Sequence, residues 1–162
     1  MNIMEQLNSV DLSKVETSFP ILKAGIVDAQ IVDITVVPGE NGKAPYVQCK
    51  YNLAQDWMTQ PIDGGESKPV KPGFPITERV YVNDWEDPKT GEKKNFGRVR
   101  LLQLREAVFG PIQPGQKLDF NELRGQSVKL NLKFDPAPKN SKTGEVYGPQ
   151  TTVASYVRRK QG

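Results

Sequence analysis

Residues 24–37 read AGIVDAQIVDITVV, and the apolar phase slips in the middle of the run. Side chains leave a strand on alternate sides, so Val27, Ala29 and Ile31 share one face while Val32, Ile34 and Val36 fall on the other. A slip inside one long strand is what a β-bulge produces, and it lets a strand serve two sides of a curled sheet. The expectation is a small barrel rather than a flat sheet.

Outward from this strand, PGENGK (38–43) is a turn by its proline and two glycines, and PYVQCKYNL (45–53) returns as a second strand. Val47, Cys49, Tyr51 and Leu53 point one way; Tyr46, Gln48, Lys50 and Asn52 point the other. PITERVYVND (75–84) repeats the pattern, with Val80 and Val82 on one face and Thr77, Arg79, Tyr81 and Asn83 opposite. The segment 54–75 between them holds four prolines, three glycines and Trp57. It is too long for a plain connection, and such loops are usually functional or mobile.

DWEDPKTGEKKNFG (84–97) contains a Lys-Thr-Gly-Glu turn and leads into a helix over 97–109, where Leu101, Leu104 and Val108 recur at helical spacing, with Arg100 and Glu106 outside. Gly110-Pro111 stops it. DFNELRGQ (119–126) is one capped helical turn, from Asp119 as N-cap to Gly125 as terminator. SVKLNLKF (127–134) is a fourth long strand that buries Val128, Leu130, Leu132 and Phe134 and exposes Lys129, Asn131 and Lys133. A second Lys-Thr-Gly-Glu turn (142–145) precedes the last strand, 150–158.

Three strands, a helix and two strands define an all-β class with one helix: a five-stranded OB-fold-like barrel with the helix between strands three and four and long loops. The rival, an immunoglobulin-like sandwich, usually needs about seven strands and does not require the helix. The length of 162 residues suits one domain. We divide it into an N-terminal extension, 1–20, and a single OB-like domain, 21–162.

The hydrophobic share of 36% is low, and 13 Pro with 14 Gly is high, in keeping with a loop-rich β protein. The net charge of +3 hides an asymmetry: residues 1–88 carry 7 Lys+Arg against 13 Asp+Glu (net −6), and residues 89–162 carry 15 against 6 (net +9). A basic second half can attract a polyanion or simply keep the protein soluble. The single cysteine, Cys49, excludes an internal disulfide and sits on an apolar face, which fits a buried thiol in a reducing setting. No apolar run approaches membrane-spanning length, so the expectation is a cytoplasmic protein with no membrane partner.

Chemistry is sparse. There is no histidine, the commonest general base and metal ligand, and burial would make Cys49 inert. PGENGKA lacks the spacing and the following Ser or Thr of a phosphate loop. Asp84, Glu86 and Asp87 could hold a divalent cation, but carboxylates beside a Pro-Lys-Thr-Gly turn are more often a solvated loop. No enzyme activity, cofactor or metal is expected.

Binding is better equipped. If the second and third long strands are neighbours, Tyr46, Lys50, Arg79 and Tyr81 share an outer surface of two aromatic plates and two cations, which suits single-stranded nucleic acid. The ordinary alternative is that tyrosine favours any exposed sheet. The 84–98 segment adds Trp85, Lys89, Lys93, Lys94, Phe96 and Arg98; the last hairpin adds Lys139, Lys142 and Tyr147; the C-terminus adds Arg158, Arg159 and Lys160. Against these stand the aptness of Lys-Thr-Gly-Glu as a turn and the usual role of tryptophans such as Trp57 and Trp85 as core anchors.

Val15-Glu16-Thr17-Ser18, the Leu22-Lys23-Ala24-Gly25 entry to the first strand, the leucine-rich helix from Leu101 to Val108, and the step from Asp119 to Val128 into a basic strand together resemble a family of bacteriophage and prophage proteins. The resemblance implies a phage-encoded OB-fold protein that coats single-stranded DNA during replication or recombination in the host cytoplasm. It carries no catalytic residues. Bacterial-type single-stranded DNA-binding proteins end in an acidic tail that recruits partners, whereas this chain ends Val-Arg-Arg-Lys-Gln-Gly, so recruitment through such a tail is not expected. Replication or recombination proteins remain conceivable partners, as does a homo-oligomer. The alternative of another class is a structural or adaptor β-domain that binds a protein, as in phage assembly.

Overall fold

The computed structural model describes residues 20–42, 44–62, 64–82, 85–117, 119–139 and 143–158, with only the backbone of Trp85. The chain forms β1 (Gly25–Val37), β2 (Tyr46–Leu53), a ribbon of β3 (Trp57–Met58) and β4 (Pro69–Val70), then β5 (Pro75–Tyr81). A second ribbon, β6 (Trp85–Glu86) and β7 (Lys93–Lys94), precedes the helix α1 (Phe96–Phe109). A 3₁₀ turn (Phe120–Leu123), β8 (Ser127–Asp135) and β9 (Gln150–Val157) complete it. The five long strands make one antiparallel sheet in the order β5-β2-β1-β8-β9. This is a mostly β protein with one α-helix, and its other two sheets are two-stranded ribbons.

The bulge in β1 is present, with a different outcome from the one the phase slip implies. Ile31 pairs with Tyr51 and Asp33 with Lys50, so Val32 is the extra residue. Spending one residue restores the phase: Val27, Ala29, Ile31 and Ile34 all enter one core, while Val32 and Val36 are exposed. The strand changes partners around the same place. Gly25–Gln30 pair with β8 and Ala29–Val37 with β2. Ile31 instead exchanges backbone hydrogen bonds with Gly125 and Gln126, just past the 3₁₀ turn, at 2.7 and 2.8 Å.

The described residues of segment 54–75 form a structured flap. Its ribbon pairs Trp57 with Val70, and its backbone bonds the entering chain through Lys23 N to Met58 O (3.0 Å) and Gln60 N to Ile21 O (2.7 Å). Trp57 packs against the core and its indole N–H donates to Lys23 O at 2.8 Å. Gly25 makes room: a Cβ there would stand 2.9 Å from the Trp57 ring, and its φ of +143° suits glycine. Trp57 is thus the anchor that the ordinary reading of a tryptophan predicts.

The barrel expected from the element order is not closed by backbone pairing. β5 and β9 are the two edges of the sheet and share no ladder. Yet Tyr156 of β9 donates to Glu78 of β5 at 2.5 Å, so the sheet must curl until its edges approach. Side chains bridge the gap. Glu78, 8% exposed, also accepts from Tyr51 Oη at 2.9 Å and Arg100 Nε at 2.6 Å. Arg100 passes on to the β9 edge, donating to Ala154 O at 3.0 Å and to Val153 O. The expectation that Arg100 faces outward therefore fails. It lies over the seam because an inward carboxylate and unpaired strand carbonyls need a donor. Phe134 is half-buried rather than buried, and the remaining alternating positions of β2, β5 and β8 face as expected.

Candidate functional site

On β5, Ile76, Glu78 and Val80 turn inward, so Thr77, Arg79 and Tyr81 face out. On β2 the inward set is Val47, Cys49, Tyr51 and Leu53. The two strands are antiparallel neighbours with Tyr46 opposite Tyr81, Gln48 opposite Arg79 and Lys50 opposite Thr77. The tyrosine rings lie 5.5 Å apart, tilted by 55°. Arg79, diagonal to Tyr46, rests its guanidinium 5.1 Å from that ring's centroid. Cross-strand aromatic pairs of this kind contribute about 0.2–1 kcal/mol, and an exposed cation–π contact about 0.5–1 kcal/mol. The expected surface of Tyr46, Lys50, Arg79 and Tyr81 is therefore assembled.

The 85–98 segment joins it at one corner. β6 pairs Trp85 with Lys94 and Glu86 with Lys93; the side chain of Trp85 lies outside the described residues. The intervening Lys-Thr-Gly-Glu turn is closed by Asp87, whose carboxylate accepts from Lys89 N and whose carbonyl accepts from Gly91 N, both at 2.8 Å. That turn role accounts for Asp87, while Asp84 lies outside the described residues. Asn95 then caps α1, accepting from Arg98 N at 2.9 Å while its amide donates to Val82 O at 2.7 Å. Gly97 lies directly against the Tyr81 carbonyl. These ties set Phe96 and Arg98, with Lys93 and Lys94 just before them, beside the Tyr81 end of β5. Phe96 is 61% exposed.

The remaining candidates lie elsewhere. Tyr46 pairs at the C-terminal end of β1, opposite Val37, whereas β8 runs out past Gly25 at its N-terminal end into the last hairpin. Lys139 and Tyr147 therefore sit at the far end of the sheet, where Lys139 bridges Val146 and Tyr147 N donates to Pro138 O at 2.7 Å. Arg158 lies near the end of α1, 3.7 Å from Glu106. Lys142, Arg159 and Lys160 lie outside the described residues. Thus Lys139 and Tyr147 do not close over the Tyr46–Tyr81 surface, because β1 carries the two ends of the sheet apart, and Arg158 lies against Glu106 of α1 instead.

Charge sets part of this surface apart. Lys50, Arg79, Lys93, Lys94 and Arg98 have no ion pair among the described residues, while Arg158 faces Glu106, Lys129 holds Asp28 at 2.9 Å and Arg124 holds Asp33 at 2.8 Å. Glu86 and Glu92 temper the positive field of the ribbon. Behind the surface, the seam is strongly coupled. Burial, then the Glu78 charge, pushes the hydroxyl pKa values of Tyr51 and Tyr156 well up. Burial works against the Arg100 cation, but Glu78 and Tyr156 together outweigh it and the guanidinium pKa rises. Cys49 is fully buried and its thiol is pushed up to about 12, first by burial. Such a thiol is inert.

The sequence reading missed Glu78 and Arg100. The signal was there in part: Glu78 occupies an inward position between Ile76 and Val80, and a buried acid demands a donor. Nothing local says which residue supplies it.

A groove of about 800 Å³ opens beside Leu22, Phe74, Thr77 and Thr151 and another of about 970 Å³ between Val108, Val128 and Arg158, and neither is lined by Tyr46, Arg79 or Tyr81. Among the described residues no group of three or more His, Cys, Asp or Glu is placed to hold a metal. No helix among them is long and apolar enough to cross a membrane. No protein-family model matches the chain, and no curated protein matches it significantly.

Proposed function

We propose that this protein binds single-stranded DNA without sequence preference and without catalysing a reaction, on an OB-like sheet whose β5–β9 seam is sealed by side chains, and that it serves phage DNA replication or recombination. The observation that carries the reading is the outward cluster of Tyr46, Arg79 and Tyr81, attended by Lys50, Lys93, Lys94 and Arg98, none of which forms an ion pair among the described residues. Every base offers a face for stacking, and phosphates need positive charge alongside, so an open aromatic face with uncommitted cations suits single strands of any sequence. The phage setting draws on the sequence resemblance.

Fluorescence anisotropy of labelled oligo-dT across a salt series, with duplex as competitor, tests it. The expected result is binding that weakens along a straight log–log line, with a slope of about −0.7 per phosphate neutralised, and that duplex competes for poorly. Absence of binding at low salt overturns the reading in favour of the adaptor class.

A further inference from the structure

The two tyrosines of the outer face are not equivalent. Tyr46 is half-buried and has the Arg79 guanidinium over its ring at 5.1 Å, with the Tyr81 ring tilted beside it at 5.5 Å. Tyr81 is 51% exposed, and among the described residues no cation lies over its ring. We propose that Tyr81 alone stacks a base, and that Tyr46 is a positioning residue that holds Arg79 flat so that its edge takes a phosphate. The inference rests on the single-stranded DNA reading above.

A guanidinium stacked on a ring uses its face for that contact and keeps its N–H groups in the plane, directed sideways. Among the described residues Arg79 donates no hydrogen bond and has no ion pair, so its in-plane fork is uncommitted. A fork held in one orientation matches a phosphate through two parallel hydrogen bonds and loses less freedom on binding than a swinging side chain. The neighbouring Tyr81 ring sets a base within one nucleotide's reach of that phosphate. Gln48 lies opposite Arg79 on β2, with no competing carboxylate at that position. The division of labour follows from register: the diagonal, not the direct, cross-strand neighbour of Tyr46 is the arginine.

The test measures oligo-dT affinity across salt for the wild type, Tyr46→Phe, Tyr46→Leu, Arg79→Ala, the Tyr46→Leu/Arg79→Ala double variant and Tyr81→Ala. Tyr46→Leu and Arg79→Ala should each flatten the log–log slope by about 0.7, one phosphate, with the double variant no weaker than Arg79→Ala alone. Tyr46→Phe should match the wild type. Tyr81→Ala should weaken binding about 5- to 150-fold at every salt concentration, with the slope unchanged. Additive losses in the double variant, with an unchanged slope for Tyr46→Leu, overturn the proposal. A second measurement needs no variant: photocrosslinking of 5-iododeoxyuridine oligonucleotide to the wild type should attach at Tyr81, and attachment at Tyr46 overturns the assignment. Failure of the wild type to bind oligo-dT at low salt would instead remove the reading on which this one rests.

Discussion

Glu78 shows how much a single inward residue can organise. Its carboxylate accepts from Tyr51, Tyr156 and Arg100 at 2.5–2.9 Å, and those donors come from β2, β9 and α1. Glu78→Ala would leave the Arg100 guanidinium without its counter-charge and the Tyr51 and Tyr156 hydroxyls without their acceptor. The expected loss is about 3–5 kcal/mol in urea unfolding, the usual range for breaking such a pair. The same cluster sets an alkaline limit. Below pH about 10 both tyrosines are neutral whether the chain is folded or unfolded. Above it the unfolded chain releases their protons while the folded one retains them, so stability is intact below pH 10 and falls as pH rises toward the raised folded values. Melting temperature against pH should show a shallower alkaline decline for Tyr156→Phe than for the wild type.

At the scale of elements, two junctions position the outer face. The first is the landing of α1 on β5. A methyl group at Gly97 would overlap the Tyr81 carbonyl, so Gly97→Ala must push the helix off the strand that carries Arg79 and Tyr81. Thermal or urea unfolding should register an overpacking cost of about 1–3 kcal/mol. The second is the β1 bulge, where Arg124 bonds Asp33 Oδ1 at 2.8 Å and Ile34 O at 2.9 Å. The Arg124 hydrogen bond, with help from Thr35, lowers the Asp33 pKa. That contribution is present above the unfolded carboxylate value near pH 4 and disappears as pH falls through the depressed folded one. Asp33→Asn should therefore remove part of the acid dependence of stability between neutral pH and pH 2. Both junctions were half-legible. The phase slip at Ile31-Val32 announced a bulge, but whether the later residues cross to a second face or return to the first depends on how many residues the bulge consumes. Gly97, next to the helix start, reads as ordinary punctuation until the strand beneath it is known.

On the scale of the whole molecule, the basic half of the chain is not a basic face. Of the cations named for binding, those near Tyr81 form no ion pair among the described residues, while Arg158 lies 3.7 Å from Glu106. Binding should consequently respond to Lys93, Lys94 and Arg98 and be little changed by Arg158→Ala, a contrast that anisotropy can read directly. The alternation of β2, β5 and β8, the Gly110-Pro111 stop of α1, the turn chemistry and the burial of Cys49 were all determined by sequence, because each depends on period, propensity or a local hydrogen bond. That Tyr46 and Tyr81 share a face also followed once the two strands are neighbours, but their direct pairing did not, since a shift of two residues keeps both faces and would set Tyr46 opposite Arg79. What only the tertiary structure decided were the meetings of residues distant along the chain: Glu78 with Arg100 and Tyr156, Gly97 with Tyr81, and the separation of the last hairpin from the tyrosines. A periodic pattern says which way a side chain points, and curvature summed over a whole sheet determines what it finds there.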